Sequence, residues 1–82
     1  MNVRVLFFSV LQDITGTAET VIRIDDPNAN VGHLLDMLFQ TWPGLKDWAP
    51  SLLVAVNHVY ARRGDPLPAD AEVAIMPPVQ GG

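Results

Sequence analysis

The sequence lacks cysteine, has few basic residues and contains no long apolar run. Without cysteine, the chain cannot form disulfides, use a thiolate in catalysis or bind zinc or an iron–sulfur cluster through sulfur. Five Lys and Arg against nine Asp and Glu give a net charge of −4, the wrong sign for a general nucleic-acid-binding protein. The longest apolar runs, 5–8 and 52–56, are far shorter than the roughly 20 residues that span a bilayer. With no secretory signal visible, we expect a cytoplasmic protein.

Candidate catalytic and metal-binding groups are also scarce. His33 and His58 lie far apart in the sequence, without a further histidine or cysteine at ligand spacing, so we expect no metal site. The sequence contains no glycine-rich phosphate loop, nucleophile elbow or pair of catalytic carboxylates. Arg62 and Arg63 form the only basic pair, which fits a solvated turn or, less well, a contact with an acidic partner. We therefore expect a chain that binds no cofactor and is not catalytic alone.

The sequence does contain enough apolar residues to form the core of one small domain. The chain has 82 residues, of which 49% are hydrophobic, which favours a packed core over a disordered segment. Apolar spacing predicts a main helix over 31–42, with Asn30 as its N-cap, and a short helical turn over 9–14, capped by Ser9 and closed by Gly16. Strands are predicted at 2–8, 20–24, 52–56, 59–62 and 72–76. The segment 45–51 is expected to be irregular, with Trp48 and Pro50 covering one end of the core.

The order of these elements predicts an α+β fold. Alternation in the last strand places Val73 and Ile75 on one face, with Glu72, Ala74 and Met76 on the other. A hairpin, a helix that crosses one face and a return to the sheet form one helix layer on one mixed sheet. We expect the β-grasp, or ubiquitin-like, roll over residues 1–76, followed by an extended tail over 77–82.

The tail has an unusual composition. Pro77 and Pro78 cannot donate to a sheet ladder and favour an extended path, and Val79 and Gln80 follow. The chain then closes with Gly81 and Gly82, which have no side chains to hinder a narrow channel. A terminal glycine pair also fits simple fraying. The alternative is that the Gly82 carboxylate is the reacting group, which would require activation, most simply by adenylation.

Three segments of the chain carry a resemblance to known proteins: Phe7 with Phe8, the triplet Ala-Val-Asn at 55–57, and the ending EVAIMPPVQGG at 72–82. Together they resemble the family of molybdopterin synthase small subunits. The resemblance covers essentially the whole chain, and the ending is its specific part. It implies a ubiquitin-like sulfur carrier of molybdenum-cofactor biosynthesis.

The resemblance also implies roles for individual residues and partners. Gly82 would be adenylated by an E1-like activating enzyme that uses ATP, and then converted to a thiocarboxylate by a sulfur donor. The tail-threading residues would be Gly81, Gln80, Val79, Pro78 and Pro77. Sulfur would pass to cyclic pyranopterin monophosphate in the large synthase subunit, within a heterotetramer of two small and two large subunits.

The resemblance further implies that Phe8, Tyr60 and Met76 contact the large subunit. For Phe8, an alternative is that its ring completes the core. Three other functions remain open for the chain as a whole. It would be a sulfur carrier for thiamine or another pathway, a ubiquitin-like protein modifier that joins Gly82 to lysines, or an interaction domain with an inert tail.

Overall fold

A computed structural model describes residues 1–78 of the chain. These residues form five strands and two α-helices: β1 (Asn2–Phe7), α1 (Val10–Thr15), β2 (Glu19–Arg23), α2 (Val31–Thr41), β3 (Leu53–Val56), β4 (Val59–Ala61) and β5 (Glu72–Met76). A 3₁₀ helix, Pro43–Ser51, connects α2 to β3. Within residues 1–78, no helix is long and apolar enough to cross a lipid bilayer.

The strands form one mixed sheet in the order β2-β1-β5-β3-β4. The first and last strands, β1 and β5, are parallel neighbours in its centre, and the other three pairs are antiparallel. With α2 packed across one face, this is the β-grasp arrangement, and the predicted fold class is confirmed. The predicted strands are present within one or two residues at each end.

The core lies between the sheet and α2. Alternation brings Val5 opposite Val73 and Phe7 opposite Ile75 across the parallel pair, and all four side chains are almost completely buried. From the helix side, Leu34 and Leu38 are fully buried. The rings of Phe7 and Trp42 meet edge to face with centroids 5.4 Å apart, a favoured geometry for aromatic pairs.

The ends of α2 follow the sequence signals. Asn30 has extended backbone geometry, and its side chain accepts a hydrogen bond from the backbone N–H of His33, so it is the N-cap that was predicted. The helix stops before Pro43, whose ring is incompatible with a continued α-helical ladder. Gly16 closes α1 in the left-handed conformation with φ 74°, as predicted.

Two local predictions are wrong. The Ser9 side chain makes no capping hydrogen bond; instead, the side chain of Gln12 turns back and donates to the carbonyl of Phe7. The segment 45–51 is helical within Pro43–Ser51 and not irregular. Trp48 packs against the core there, beside the fully buried Leu45, whereas Pro50 is exposed and covers nothing.

Shortening a core side chain on α2 is expected to destabilise the fold. Leu38→Ala should lower the free energy of unfolding by about 2–5 kcal/mol, because it removes buried methyl groups and leaves a cavity. Urea denaturation followed by circular dichroism measures this change. Gln40→Ala, at an exposed position of the same helix, is the matched control and should shift the free energy by less than about 0.5 kcal/mol. Equal effects of the two substitutions would contradict the described packing.

Candidate functional site

The face of the sheet opposite α2 carries a shallow groove of about 300 Å³. Its floor is formed by small side chains, Ala55 on β3 and Ala74 on β5, which lie directly opposite each other in register. The surrounding lining residues are Phe8, His58, Tyr60, Glu72 and Met76. Small residues in neighbouring central strands leave a depression between larger side chains, and this is why the groove follows β5.

The three residues predicted to contact a partner, Phe8, Tyr60 and Met76, all line this groove. Phe8 is 44% exposed and Tyr60 is 71% exposed, while Met76 is half-buried. The alternative that Phe8 completes the core is therefore wrong, since its ring is on the outer face and Phe7 fills the core instead. Clustered apolar exposure of this kind marks an interaction surface more often than scattered exposure does.

Charged groups on the same face lie in a row across β2, β1 and β5. The Arg4 guanidinium on β1 binds the Glu19 carboxylate on β2, with Nη2 to Oε2 at 2.7 Å and Nε to Oε2 at 2.8 Å. This hydrogen bond and the charge of Glu19 raise the pKa of Arg4, and Glu72 raises it to a smaller degree. Glu72 lies opposite Arg4 in register, on the other side of β1 from Glu19.

A two-residue turn holds one end of the groove in place. Asn57 and His58 have φ values of 50° and 71°, as a type I′ hairpin between β3 and β4 requires. Asn57 also clamps this hairpin to β5. Its backbone N–H donates to the Glu72 carbonyl at 2.8 Å, and its side-chain Oδ1 accepts from the Glu72 N–H at 2.9 Å. The positions of His58 and Tyr60 beside the groove therefore depend on Asn57.

The predicted tail begins where the groove ends. Pro77 and Pro78 follow Met76 directly and are half-buried. The remaining predicted tail residues, Val79, Gln80, Gly81 and Gly82, lie outside the described residues. The groove is thus adjacent in the chain to the segment for which a reactive role was predicted.

Outside the groove, the described residues 1–78 offer few side chains that could bind a metal ion or take part in catalysis. Residues 1–78 contain no group of three or more His, Asp or Glu that could hold a metal ion. A second depression, beside the start of α2, contains an ion pair between Arg63 and Asp36 at 2.9 Å. Both side chains are more than half exposed, which agrees with the solvated turn expected for Arg62 and Arg63.

Sequence reasoning missed Glu72 and His58 as lining residues of the groove. The signal for Glu72 was present, because alternation already placed it on the same face as Ala74 and Met76. The signal for His58 was absent, since its position follows from the hairpin turn and from the order of the strands. That order brings β4 and β5 to either side of β3.

The comparisons with known proteins agree with this fold. The model of the ThiS family matches residues 5–82, and the chain belongs to that family. The molybdopterin synthase sulfur carrier subunit of Escherichia coli (strain K12) is 34% identical, and the match covers 98% of this chain and 99% of the relative. The resemblance inferred from the ending of the sequence is therefore confirmed, and with it the expectation of a subunit rather than an enzyme alone.

Two solved structures extend the comparison. SAMP1 from Haloferax volcanii is 27% identical with a TM-score of 0.88, and each chain is covered completely. A complex of subunits 1 and 2 of molybdopterin-converting factor from Helicobacter pylori contains a chain that is 25% identical with a TM-score of 0.70, again with complete coverage of both chains. The fold of this chain is thus found in a protein that assembles with a second subunit.

The Asn57 clamp allows a test of two separate contributions to stability. Asn57→Gly keeps the positive φ but removes the Oδ1 acceptor, so the free energy of unfolding should fall by about 0.5–1.5 kcal/mol. Asn57→Ala removes the same acceptor and adds the cost of a Cβ in the left-handed region, about 1 kcal/mol more. Chemical denaturation of the two variants and the parent measures both terms. An alanine variant as stable as the glycine variant would contradict the backbone geometry of the turn.

Proposed function

We propose that the chain is the sulfur carrier subunit of a molybdopterin synthase, and that it carries sulfur as a thiocarboxylate on Gly82. The observation that carries this proposal is the apolar groove on β5, which extends to Met76, the residue directly before Pro77; the Gly-Gly ending begins four residues after Pro77 in the sequence. Full-length relatives with the same assigned role support it. The large synthase subunit is then the partner that covers the groove and takes the tail into its active site. Two copies of each subunit and a location in the cytoplasm stay predictions.

The proposed chemistry requires only the terminal carboxylate from this chain. An oxygen of the Gly82 carboxylate attacks the α-phosphorus of ATP on an activating enzyme, and pyrophosphate leaves. A hydrosulfide ion supplied by the donor then attacks the carbonyl carbon of the acyl-adenylate and loses its proton, and AMP leaves with the bridging oxygen. The sulfur of the resulting thiocarboxylate attacks a carbon of cyclic pyranopterin monophosphate and displaces an oxygen substituent. Water then hydrolyses the thioester, which returns the Gly82 carboxylate and leaves the sulfur on the pterin. The two glycines remove side-chain bulk from the chain that must enter each active site.

A second candidate function, protein modification, is favoured by one observation. The structural similarity to SAMP1 is high, and related solved structures are described as small archaeal modifier proteins. In that case, the amine of a target lysine, and not a sulfur nucleophile, attacks the activated Gly82 carbonyl. A carrier for thiamine or another sulfur pathway would share the sulfur step but would use a different acceptor.

Intact-mass spectrometry distinguishes these functions. After incubation with ATP, an activating enzyme and a sulfur donor, the chain should gain the mass that corresponds to one oxygen replaced by sulfur. Deletion of Gly81 and Gly82 should abolish both this gain and sulfur transfer, while folding and large-subunit binding persist. An unchanged mass under conditions that thiocarboxylate a known carrier would contradict the proposal. Adducts on many lysine-containing proteins would support the modifier instead.

The groove is expected to contribute most of the affinity for the large subunit. Tyr60→Ala should weaken binding about tenfold or more, because aromatic side chains at the centre of an interface commonly contribute more than 1 kcal/mol. Val21→Ala is the matched control: Val21 is similarly exposed, at 61%, and lies on the opposite edge strand, β2. Calorimetric titration of the large subunit should show a change of less than about twofold for this control. Equal losses from both substitutions would argue against docking through the groove.

A further inference from the structure

Glu72 has an unusual environment for a carboxylate. It is half-buried on the central strand β5, at one end of the groove, and its backbone N–H and C=O are both bound by Asn57. Its carboxylate makes no hydrogen bond or ion pair with any residue among 1–78. The backbone contacts therefore fix the position of this residue, while its carboxylate is bound by no hydrogen bond or ion pair from residues 1–78.

Arg4, the cation opposite Glu72 on this face, forms no ion pair with the Glu72 carboxylate. Arg4 lies opposite Glu72 in register, but its Nε and Nη2 atoms bind Glu19. Glu19 is on β2 and Glu72 on β5, with β1 between them. The guanidinium is therefore bound on the β2 side of β1, and the charge of Glu72 acts on it only at longer range. Because Arg4 is paired with Glu19, the Glu72 carboxylate has no ion-pair partner among residues 1–78.

A partner that covers the groove must therefore compensate Glu72. Apart from the imidazole of His58, the other lining side chains are apolar or aromatic, namely Phe8, Ala55, Tyr60, Ala74 and Met76. Burial of a carboxylate against such a surface is unfavourable unless it is paired and hydrogen-bonded. Conversely, an oppositely charged group on the correct partner gives both attraction and discrimination against other proteins.

The position of Glu72 relative to the tail indicates that the groove is covered by the same protein that binds the tail. Glu72 and Met76 lie on the same face of β5, about 13 Å apart along the strand, and the tail begins immediately after Met76. A partner that encloses the tail and covers the groove therefore also reaches Glu72. A second copy of this chain fits poorly, because an isologous contact brings the same acidic surface of two molecules together, each with a net charge of −4.

We propose that Glu72 sets the charge specificity of the groove, by accepting a hydrogen-bonded ion pair from an arginine or lysine of the large synthase subunit. This inference depends on the proposed function, since it assigns the large subunit to the groove. Phe8, Tyr60 and Met76 supply the apolar contact area, and Glu72 selects partners with a cation at the matching position. Because Arg4 is bound to Glu19, the carboxylate of Glu72 remains available to bind a cation of the partner.

The test is a titration of the cognate large subunit with the full-length chain and two variants of Glu72. Glu72→Gln keeps the size of the side chain and both backbone bonds to Asn57, and should weaken binding about tenfold. Glu72→Lys places like charges together and should weaken it about a hundredfold. The parent affinity should fall more steeply with added salt than that of Glu72→Gln. Asp47→Asn, the same charge change at an exposed position outside the groove, should bind within about twofold of the parent.

Thermal unfolding of each variant verifies that the fold is retained. Equal affinity of the parent and Glu72→Gln at low salt would overturn this inference and leave the sulfur-carrier proposal standing. Absence of any binding between the parent chain and the large subunit would overturn both. Sedimentation of the isolated chain gives a third outcome: a stable dimer that Glu72→Lys abolishes would assign the groove to a second copy and overturn the inference.

Discussion

The parallel pairing of β1 with β5 is the constraint on which the rest of the structure depends. It joins the first and last strands of the domain in the centre of the sheet, so the core is complete only when both ends of the sequence are in place. Val5 with Val73 and Phe7 with Ile75 then form one buried layer against α2. Every other element is arranged around this pair: β2 flanks β1, and the β3–β4 hairpin flanks β5.

Because β5 lies in the centre of the sheet, one of its faces packs in the core and the other lines the groove. The buried face, Val73 and Ile75, stabilises the domain, while the outer face, Glu72, Ala74 and Met76, forms the length of the groove. One strand of five residues thus connects the packed core, the groove proposed to bind a partner and the start of the predicted tail. The small side chains Ala55 and Ala74 keep the groove open, and Asn57 sets its far end. Stability and recognition therefore use different side chains of the same backbone.

Local signals in the sequence predicted most of the elements and part of the site. Strict alternation predicted the bounds of β5, and the Asn30 cap together with Pro43 predicted those of α2, because these patterns depend only on residues close in the sequence. The 3₁₀ helix at Pro43–Ser51 was missed, since short 3₁₀ turns have little apolar periodicity. The Ser9 cap failed because Ser9 has φ 57°, whereas a capping side chain normally requires an extended backbone at the N-cap position. The prediction that Phe8, Tyr60 and Met76 share a surface came from the family resemblance. Alternation had already placed Glu72 on the face of Met76. The position of His58 beside the groove required the strand order, which is a tertiary property.

The central position of β5 also has a mechanical consequence. Hydrogen bonds connect this strand to β1 on one side and β3 on the other, and they run across the strand direction. A pull on the chain beyond Pro78, along the axis of β5, would load both rows of bonds in shear and at the same time. An edge strand peeled from its end would instead lose its bonds one after another. The domain should therefore resist unfolding under a pull on its C-terminal segment, such as the proposed entry of the tail into a partner would apply.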